Sequence, residues 1–306
     1  VPTVLGHEIV GEIVEFGPIA SRRDWSGTEL VVGDRVTWAV VAGCSDCFYC
    51  RRDLWAKCLN ATKYGHERLT PGRELLGGLA GYCQLVAGTA VVKLPPELPL
   101  AVACPASCGT ATVAAALEAA GELSGAVMCV TGLGLLGLTA CSMARELGAT
   151  EVIAVDVSPQ RLDRAARFGA TRTTNPESLA EVVRAATGGH GADVVVELSG
   201  STQALEAAWS GVRMGGTIVL VGTVFPTPPV AMFPEQVVRR QLTLRGVHNY
   251  SPRHLAAAVR FLATAHHKYP FAELVAEWVP LAEVSRAFEL SEDPARVRVG
   301  VIPCLE

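Results

Sequence analysis

The sequence predicts an α/β protein with a doubly wound parallel sheet in the middle of the chain and an irregular β-rich domain beside it. Two observations carry the prediction. From about Ala126 onward, apolar runs of strand length alternate with stretches of helix length, as in "AVMCVTGLGLLGLTACSMARELGATEVIAVDV", "ADVVVELSG", "GGTIVLVG" and "QLTLRGV". Strands separated by helices in this rhythm need crossover connections and so lie parallel. Before that region the apolar runs are short and cut by glycine, as in "VLGHEIVGEIVEFG" and "VVGDRVTW", which suits short strands joined by tight turns.

Size and charge narrow the partners. Half of the 306 residues are apolar and 18% are charged, enough to bury two cores of ordinary size. A formal charge of -4 and a pI near 6.0 offer no basic field to nucleic acid or to an anionic membrane, so small molecules are the expected partners. Two uncharged stretches reach bilayer length, Leu98–Leu117 and Leu123–Ala144. Pro99 and Pro105 interrupt the first, and Gly125, Gly132, Gly134 and Gly137 interrupt the second, so buried strand, turn and helix are expected instead. No secretory pattern of charged lead, apolar core and small-residue cleavage site opens the sequence, and cytoplasm is the expected location.

The first strand pattern contains Gly6, His7 and Glu8. A histidine beside a glutamate is either a metal ligand with its neighbour or a hydrogen-bonded structural pair, and the pair alone does not decide.

Next comes "GCSDCFYCRRDLWAKC", with Cys44, Cys47, Cys50 and Cys58 at spacings of three, three and eight. Two intervening residues let neighbouring cysteines turn back onto one tetrahedral ion, and the longer gap lets a loop close the fourth corner. Four sulfurs leave no position for water or substrate, so a zinc here braces a loop. Arg51, Arg52 and Lys57 are placed to offset the excess negative charge. The alternative is a set of reduced thiols or a redox pair; Asp46, Tyr49 and the basic residues mark a polar loop and favour zinc.

In the middle of the chain an apolar strand runs into Gly132, Gly134 and Gly137, a helix pattern follows to about Leu147, and a second apolar strand ends in Asp156, 24 positions after the first glycine; Leu135, between the glycines, counts with them as cofactor-binding. In this strand, turn and helix context the three glycines read as a dinucleotide fingerprint. Gly132 permits the tight turn, Gly134 lets the backbone approach a pyrophosphate, and Gly137 lets helix and strand pack closely. The helix N-terminus presents free N–H groups to phosphate. Asp156 suits both ribose hydroxyls of NAD and repels the extra phosphate of NADP, with Arg161 placed to cover the ribose or adenine edge. Gly200, Gly222 and Thr223 fall at later strand ends, where backbone lines the nicotinamide side.

In this order, the Gly-His-Glu strand, the four-cysteine lobe, the cysteine-bearing helix entry "CPASCGTATVAAA" and the dinucleotide fold resemble the zinc-containing medium-chain alcohol dehydrogenases over essentially the whole chain. The resemblance implies a GroES-like catalytic domain over 1–108 and 250–306 and a Rossmann NAD-binding domain over 109–249. The stretch "FAELVAEWVPLAEVSRAFELSEDPARVRVGVIP" resembles the family's returning helix and final strands, and the active site is expected in the cleft between domains. The resemblance further implies a catalytic zinc held by His7 and Cys108, with Cys104 as the competing thiol, Glu8 either behind these ligands, tuning the charge of the zinc, or exchanging onto it, and Thr112 near the nicotinamide. That zinc would act as a Lewis acid on an alcohol oxygen while hydride passes to NAD. Cys83, Cys104, Cys129, Cys141 and Cys304 read as buried structural thiols. The stretches "KYGHE" (63–67), "CPASC" and "GVHNYSPRHL" look like a subgroup associated with phosphonate catabolism. Lys63, His66 and His248 are then either contacts for an anionic substrate group or solvated loop residues.

The family pattern also has a cysteine ligand well upstream of Gly-His-Glu, followed by a proton-relaying Ser or Thr, and six residues have no room for either. An N-terminally incomplete chain is therefore expected. The competing reading is an inactive NAD-binding relative that keeps its structural zinc alone. The family implies a homodimer or homotetramer.

Overall fold

The computed structural model describes residues 2–303; Cys304 lies outside them. The chain divides into two compact units, one built from Val1–Ala111 with Asn249–Glu306 and the other from Thr112–His248.

The first unit begins with β1 (Val10–Glu12), β2 (Arg35–Trp38), β3 (Val41–Ala42), β4 (Thr62–Lys63) and β5 (Val91–Lys93). β1, β2 and β5 form an antiparallel sheet in that order, and β3 pairs with β4. The turn into β2 depends on Gly33, whose φ of 92° lies in the left-handed region, and on Asp34, which accepts the Val31 N–H and pairs with Lys93 at 2.7 Å. The core beneath joins Leu30, Val36, Trp38, Ala42, Tyr64 and Leu76. Helix α1 (Leu100–Ala103) follows, and α2 (Gly109–Ala120) carries the chain into the second unit.

The second unit alternates β6 (Val127–Thr131), α3 (Leu135–Glu146), β7 (Glu151–Val155), α4 (Pro159–Arg167), β8 (Arg172–Thr174), α5 (Leu179–Ala186), β9 (Ala192–Glu197), α6 (Thr202–Gly211), β10 (Val212–Leu220), α7 (Pro234–Arg239) and β11 (Thr243–Gly246). All six strands are parallel, in the order β11-β10-β9-β6-β7-β8. Cys129, Ile153, Val195 and Ile218 are fully buried in the sheet. Central strands covered on both faces have no reason to alternate, which is why they read as continuous apolar runs. The edge strand β8, "RTT", has two exposed residues and no apolar run, so periodicity gives no sign of it. β10 begins at Val212, ahead of the "GGTIVLVG" run, and its register against β9 shifts between Val212 and Thr217, where Gly215 takes a φ of 67°.

The chain then returns to the first unit through α8 (Pro252–Ala265), β12 (Glu277–Pro280), α9 (Val284–Ser291) and β13 (Val299–Ile302), with β12 and β13 paired in parallel. A capping box of Ser251 and His254 and a proline at the first helical position start α8. Among the described residues no single helix is long and apolar enough to cross a membrane. Cys129 and Cys141 are buried as expected, whereas Cys83 and Cys104 keep intermediate exposure, on a loop and a helix edge rather than inside the sheet.

Candidate functional site

The four cysteines of the lobe converge: their sulfurs all lie within 4.8 Å of one another. Zinc bound to sulfur at about 2.3 Å needs a tetrahedron with edges of about 3.8 Å, so this donor set fits the ion. The turn between Cys44 and Cys47 passes through Ser45 at a φ of 64°, and Asp53 at 60° ends the short turn that begins at Cys50. Backbone N–H groups face the sulfurs, from Cys44 and Asn60 to Cys58 Sγ at 3.3 and 3.4 Å and from Cys47 to Cys44 Sγ at 3.3 Å. N–H groups of Cys50 and Leu59 push the Cys47 thiol down to about 6, and those of Asp46 and Cys47 lower Cys44. Burial pushes Cys50 up to about 12. The expected charge partners are corrected in part. Arg51 pairs with Asp46 at 3.0 Å and Arg52 lies over the Phe48 ring, so backbone dipoles take the role assigned to those two side chains.

In the second unit, β6 ends at Thr131 and the chain turns through Gly132, at a φ of 88°, into Leu133 and Gly134 before α3. A Cβ on Gly137 would lie 2.0 Å from the Gly132 carbonyl oxygen, so the first turn of α3 rests directly on the loop. Gly134 differs: a Cβ there would meet nothing within 4 Å, and its φ of -75° suits any residue. Protein packing does not require glycine at 134; an open cradle for a group that approaches the backbone does, and a dinucleotide pyrophosphate fits it. Leu135 is buried as the first residue of α3. Asp156 follows β7 and is nearly buried, its two oxygens accepting the N–H groups of Leu133 at 2.7 Å and Ser158 at 2.9 Å. Each oxygen keeps a lone pair for a ribose hydroxyl. Arg161 is 3.7 Å from Asp156 Oδ2. Gly200, at a φ of 72°, and Gly222 touch so closely that a Cβ on either would overlap the other's backbone. Thr223 follows in the same loop, and Thr112 is buried in α2.

The segment around His7 is tied to that around Cys108 by Ser107, which donates to the His7 carbonyl at 3.1 Å and accepts the Ile9 N–H at 3.4 Å. Tyr250, buried, donates to the Ser107 carbonyl and accepts the Val40 N–H. Burial lowers the pKa of His7, Glu8 opposes the shift, and His66, Lys63 and Arg298 add to it, so the net effect favours the uncharged imidazole. The His66 ring lies 5.0 Å from that of His7. Burial pushes both Cys104 and Cys108 up to about 12, and the Glu8 carboxylate adds to each shift. Glu8 itself makes a two-pronged pair with Arg298, at 2.9 and 3.1 Å. Burial disfavours the Arg298 charge, yet Glu8 outweighs it and the net shift of Arg298 is upward.

Among the described residues, three or more metal-ligating atoms draw together at the cysteine lobe alone. His7, Glu8 and Cys108 therefore do not gather as a set of three, and each oxygen of Glu8 accepts one hydrogen bond from Arg298. Sequence reading singles out none of Ser107, Tyr250, Arg298 or Glu197. A signal existed for two of them: Ser107 directly precedes Cys108, and Glu197 is an ionisable residue closing the apolar run 194–196.

Comparison with known proteins agrees with this geometry. The alcohol dehydrogenase GroES-like domain model matches residues 1–96 and the zinc-binding dehydrogenase model matches 136–264. The chain is 31% identical over 292 residues to an alcohol dehydrogenase of Geobacillus stearothermophilus, covering 94% of this chain and 79% of that protein. It is 29% identical over 305 residues to 5-exo-hydroxycamphor dehydrogenase of Pseudomonas putida, covering 97% and 82%. Among solved structures, an alcohol dehydrogenase from Thermotoga maritima aligns with a TM-score of 0.92 at 29% identity, over 99% of this chain and 85% of that one. With both domain models matched in order and the cysteine lobe assembled, the chain belongs to the zinc-containing medium-chain alcohol dehydrogenase family.

Proposed function

We propose that this chain transfers hydride between an alcohol and the corresponding aldehyde or ketone, with NAD in preference to NADP. The observation that carries the reading is the Asp156 carboxylate, fixed by Leu133 and Ser158 N–H groups beside the open Gly134 cradle. The bound nicotinamide supplies a carbon that takes up or returns hydride. The chain's own part on the adenosine side is to accept ribose hydroxyls at Asp156 and to present its negative charge where NADP carries a phosphate. An anionic substrate, such as a phosphonate-bearing alcohol, is supported by Lys63, whose positive charge acts on both His7 and Cys108.

Titration with NADH and NADPH, followed by nicotinamide fluorescence, tests the cofactor assignment. Wild type should bind NADH at least about tenfold more tightly, and Asp156→Ser should shrink that ratio severalfold or more by removing the repulsion. Equal affinities in the wild type would overturn the preference, and no dinucleotide binding would overturn the function. Alcohol oxidation is then read as the appearance of reduced nicotinamide across a panel of neutral and phosphonate-bearing alcohols.

The gathering of three or more metal-ligating atoms at the cysteine lobe alone, among the described residues, favours a second reading, a dinucleotide-binding relative that holds zinc in the lobe alone. Two zincs per chain with turnover support catalysis, and one zinc with NADH binding but no turnover supports the second reading. A homodimer or homotetramer is supported by exposed apolar side chains after β10, including Phe225, Met232 and Phe233. Cytoplasm is supported by the reduced thiols that the lobe requires.

A further inference from the structure

Glu197 is the last residue of β9 and is completely buried. Its Oε1 accepts three hydrogen bonds, from the N–H of Ser199 at 2.7 Å, the N–H of Gly200 at 2.9 Å and the Ser199 hydroxyl. Its backbone carbonyl accepts the N–H groups of Val221 and Gly222, both at 2.9 Å. One residue therefore fixes the turns that follow β9 and β10. Those two turns and the one after β6 are packed backbone to backbone: a Cβ on Gly132 would lie 2.6 Å from Ser199, and one on Gly200 would lie 2.8 Å from the Gly222 oxygen.

The other carboxylate oxygen is unusual. Among the described residues, Glu197 Oε2 has no hydrogen-bond partner, and neither does the buried hydroxyl of Thr131. Thr131 and Glu197 are partners in the register of β6 and β9, so their side chains leave the sheet on the same face. These two strands flank the point where the strand order reverses, since the chain runs outward from β6 through β7 and β8 and then returns to β9 and β10. In open α/β sheets the ligand crevice lies outside the carboxyl ends of the strands at that point. A buried polar atom without a partner is costly, and turn capping alone is served by shorter neutral side chains without that cost.

We propose that Glu197 is a positioning residue for the nicotinamide half of the bound dinucleotide, setting the ledge of Ser199, Gly200 and Gly222 from beneath. The proposal rests on the dinucleotide reading above. Asp156 lies after β7, on the opposite side of β6 from β9, so the adenosine half is held independently of Glu197.

The test compares NADH with ADP-ribose, which lacks the nicotinamide, in the full chain carrying Glu197→Gln or Glu197→Asp. Glutamine keeps the length and the Oε1 acceptor, whereas aspartate keeps the charge but is one carbon too short for the three donors. Glu197→Asp should weaken NADH about tenfold, Glu197→Gln should stay within about threefold of wild type, and ADP-ribose should change by less than about twofold in both. Equal weakening of NADH and ADP-ribose would overturn the proposal in favour of a purely structural role. Loss of NADH affinity in the glutamine variant with retention in the aspartate variant would overturn it in favour of a charge effect, and unchanged affinities in both would overturn it outright. Wild-type binding of neither nucleotide would instead refute the dinucleotide reading itself.

Discussion

Cys50→Ala is expected to remove one zinc equivalent per chain, measured by elemental analysis against wild type, and to lower the melting temperature by roughly 10 °C. Cys50 and Cys58 are buried in the lobe, whereas Phe48, Leu54 and Leu59 are exposed, so few apolar contacts hold it without the ion. A structural zinc is worth about 10–16 kcal/mol in small zinc-finger peptides. Only a fraction of that is at stake here, because Trp55 packs under Gly43 and Asp53 pairs with Arg253 at 2.6 Å. A loss of about 3 kcal/mol is a conservative share and gives the stated shift for a domain of this size. The loosened loop also exposes the backbone at Arg51, Arg52 and Lys57, so trypsin should cut there first. Unchanged zinc content and melting temperature would show that the four sulfurs hold no metal.

Gly137→Ala should abolish dinucleotide binding and destabilise the second unit by about 2–4 kcal/mol. The added Cβ would lie 2.0 Å from the Gly132 oxygen and 2.9 Å from its carbonyl carbon, and both are backbone atoms that no rotamer change can move aside. Either α3 lifts from the loop or the loop opens, and each response spoils the cradle at Gly134. Gly134→Ala is the matched control. Its Cβ meets no protein atom within 4 Å, so the fold should keep its melting temperature while NADH binding weakens by about tenfold or more. Calorimetry and NADH titration of the two variants separate packing from ligand approach. Full binding by the Gly134 variant would remove the argument that the cradle exists for a ligand.

Much of the second unit is legible because its instructions are local. A strand, a turn needing a positive φ at Gly132 and a helix starting at Leu135 occupy adjacent residues, and Asp156 follows one crossover later. The cysteine lobe is legible for the same reason, since all four ligands fall between Cys44 and Cys58. β8 is not legible, because an exposed edge strand of Arg172, Thr173 and Thr174 buries too little to leave a pattern. The surroundings of His7 are harder still. Sequence reading places Glu8 beside His7 and names no partner for it, and the fold pairs both its oxygens with Arg298, which stands 290 positions away.

By itself, then, the sequence determined the parallel α/β unit, the four-sulfur lobe and the dinucleotide turn, because each is written in spacings short enough for the chain to close on itself. Tertiary structure alone decided the partners of buried polar groups. Ser107 reaches His7 across 100 positions, Tyr250 reaches Ser107 across 143, and Thr131 meets Glu197 through strand register. No periodicity or motif encodes such pairings, since they depend on which segments the topology brings side by side. A charged or hydroxyl group tells which partners it needs, and only the folded chain supplies or withholds them.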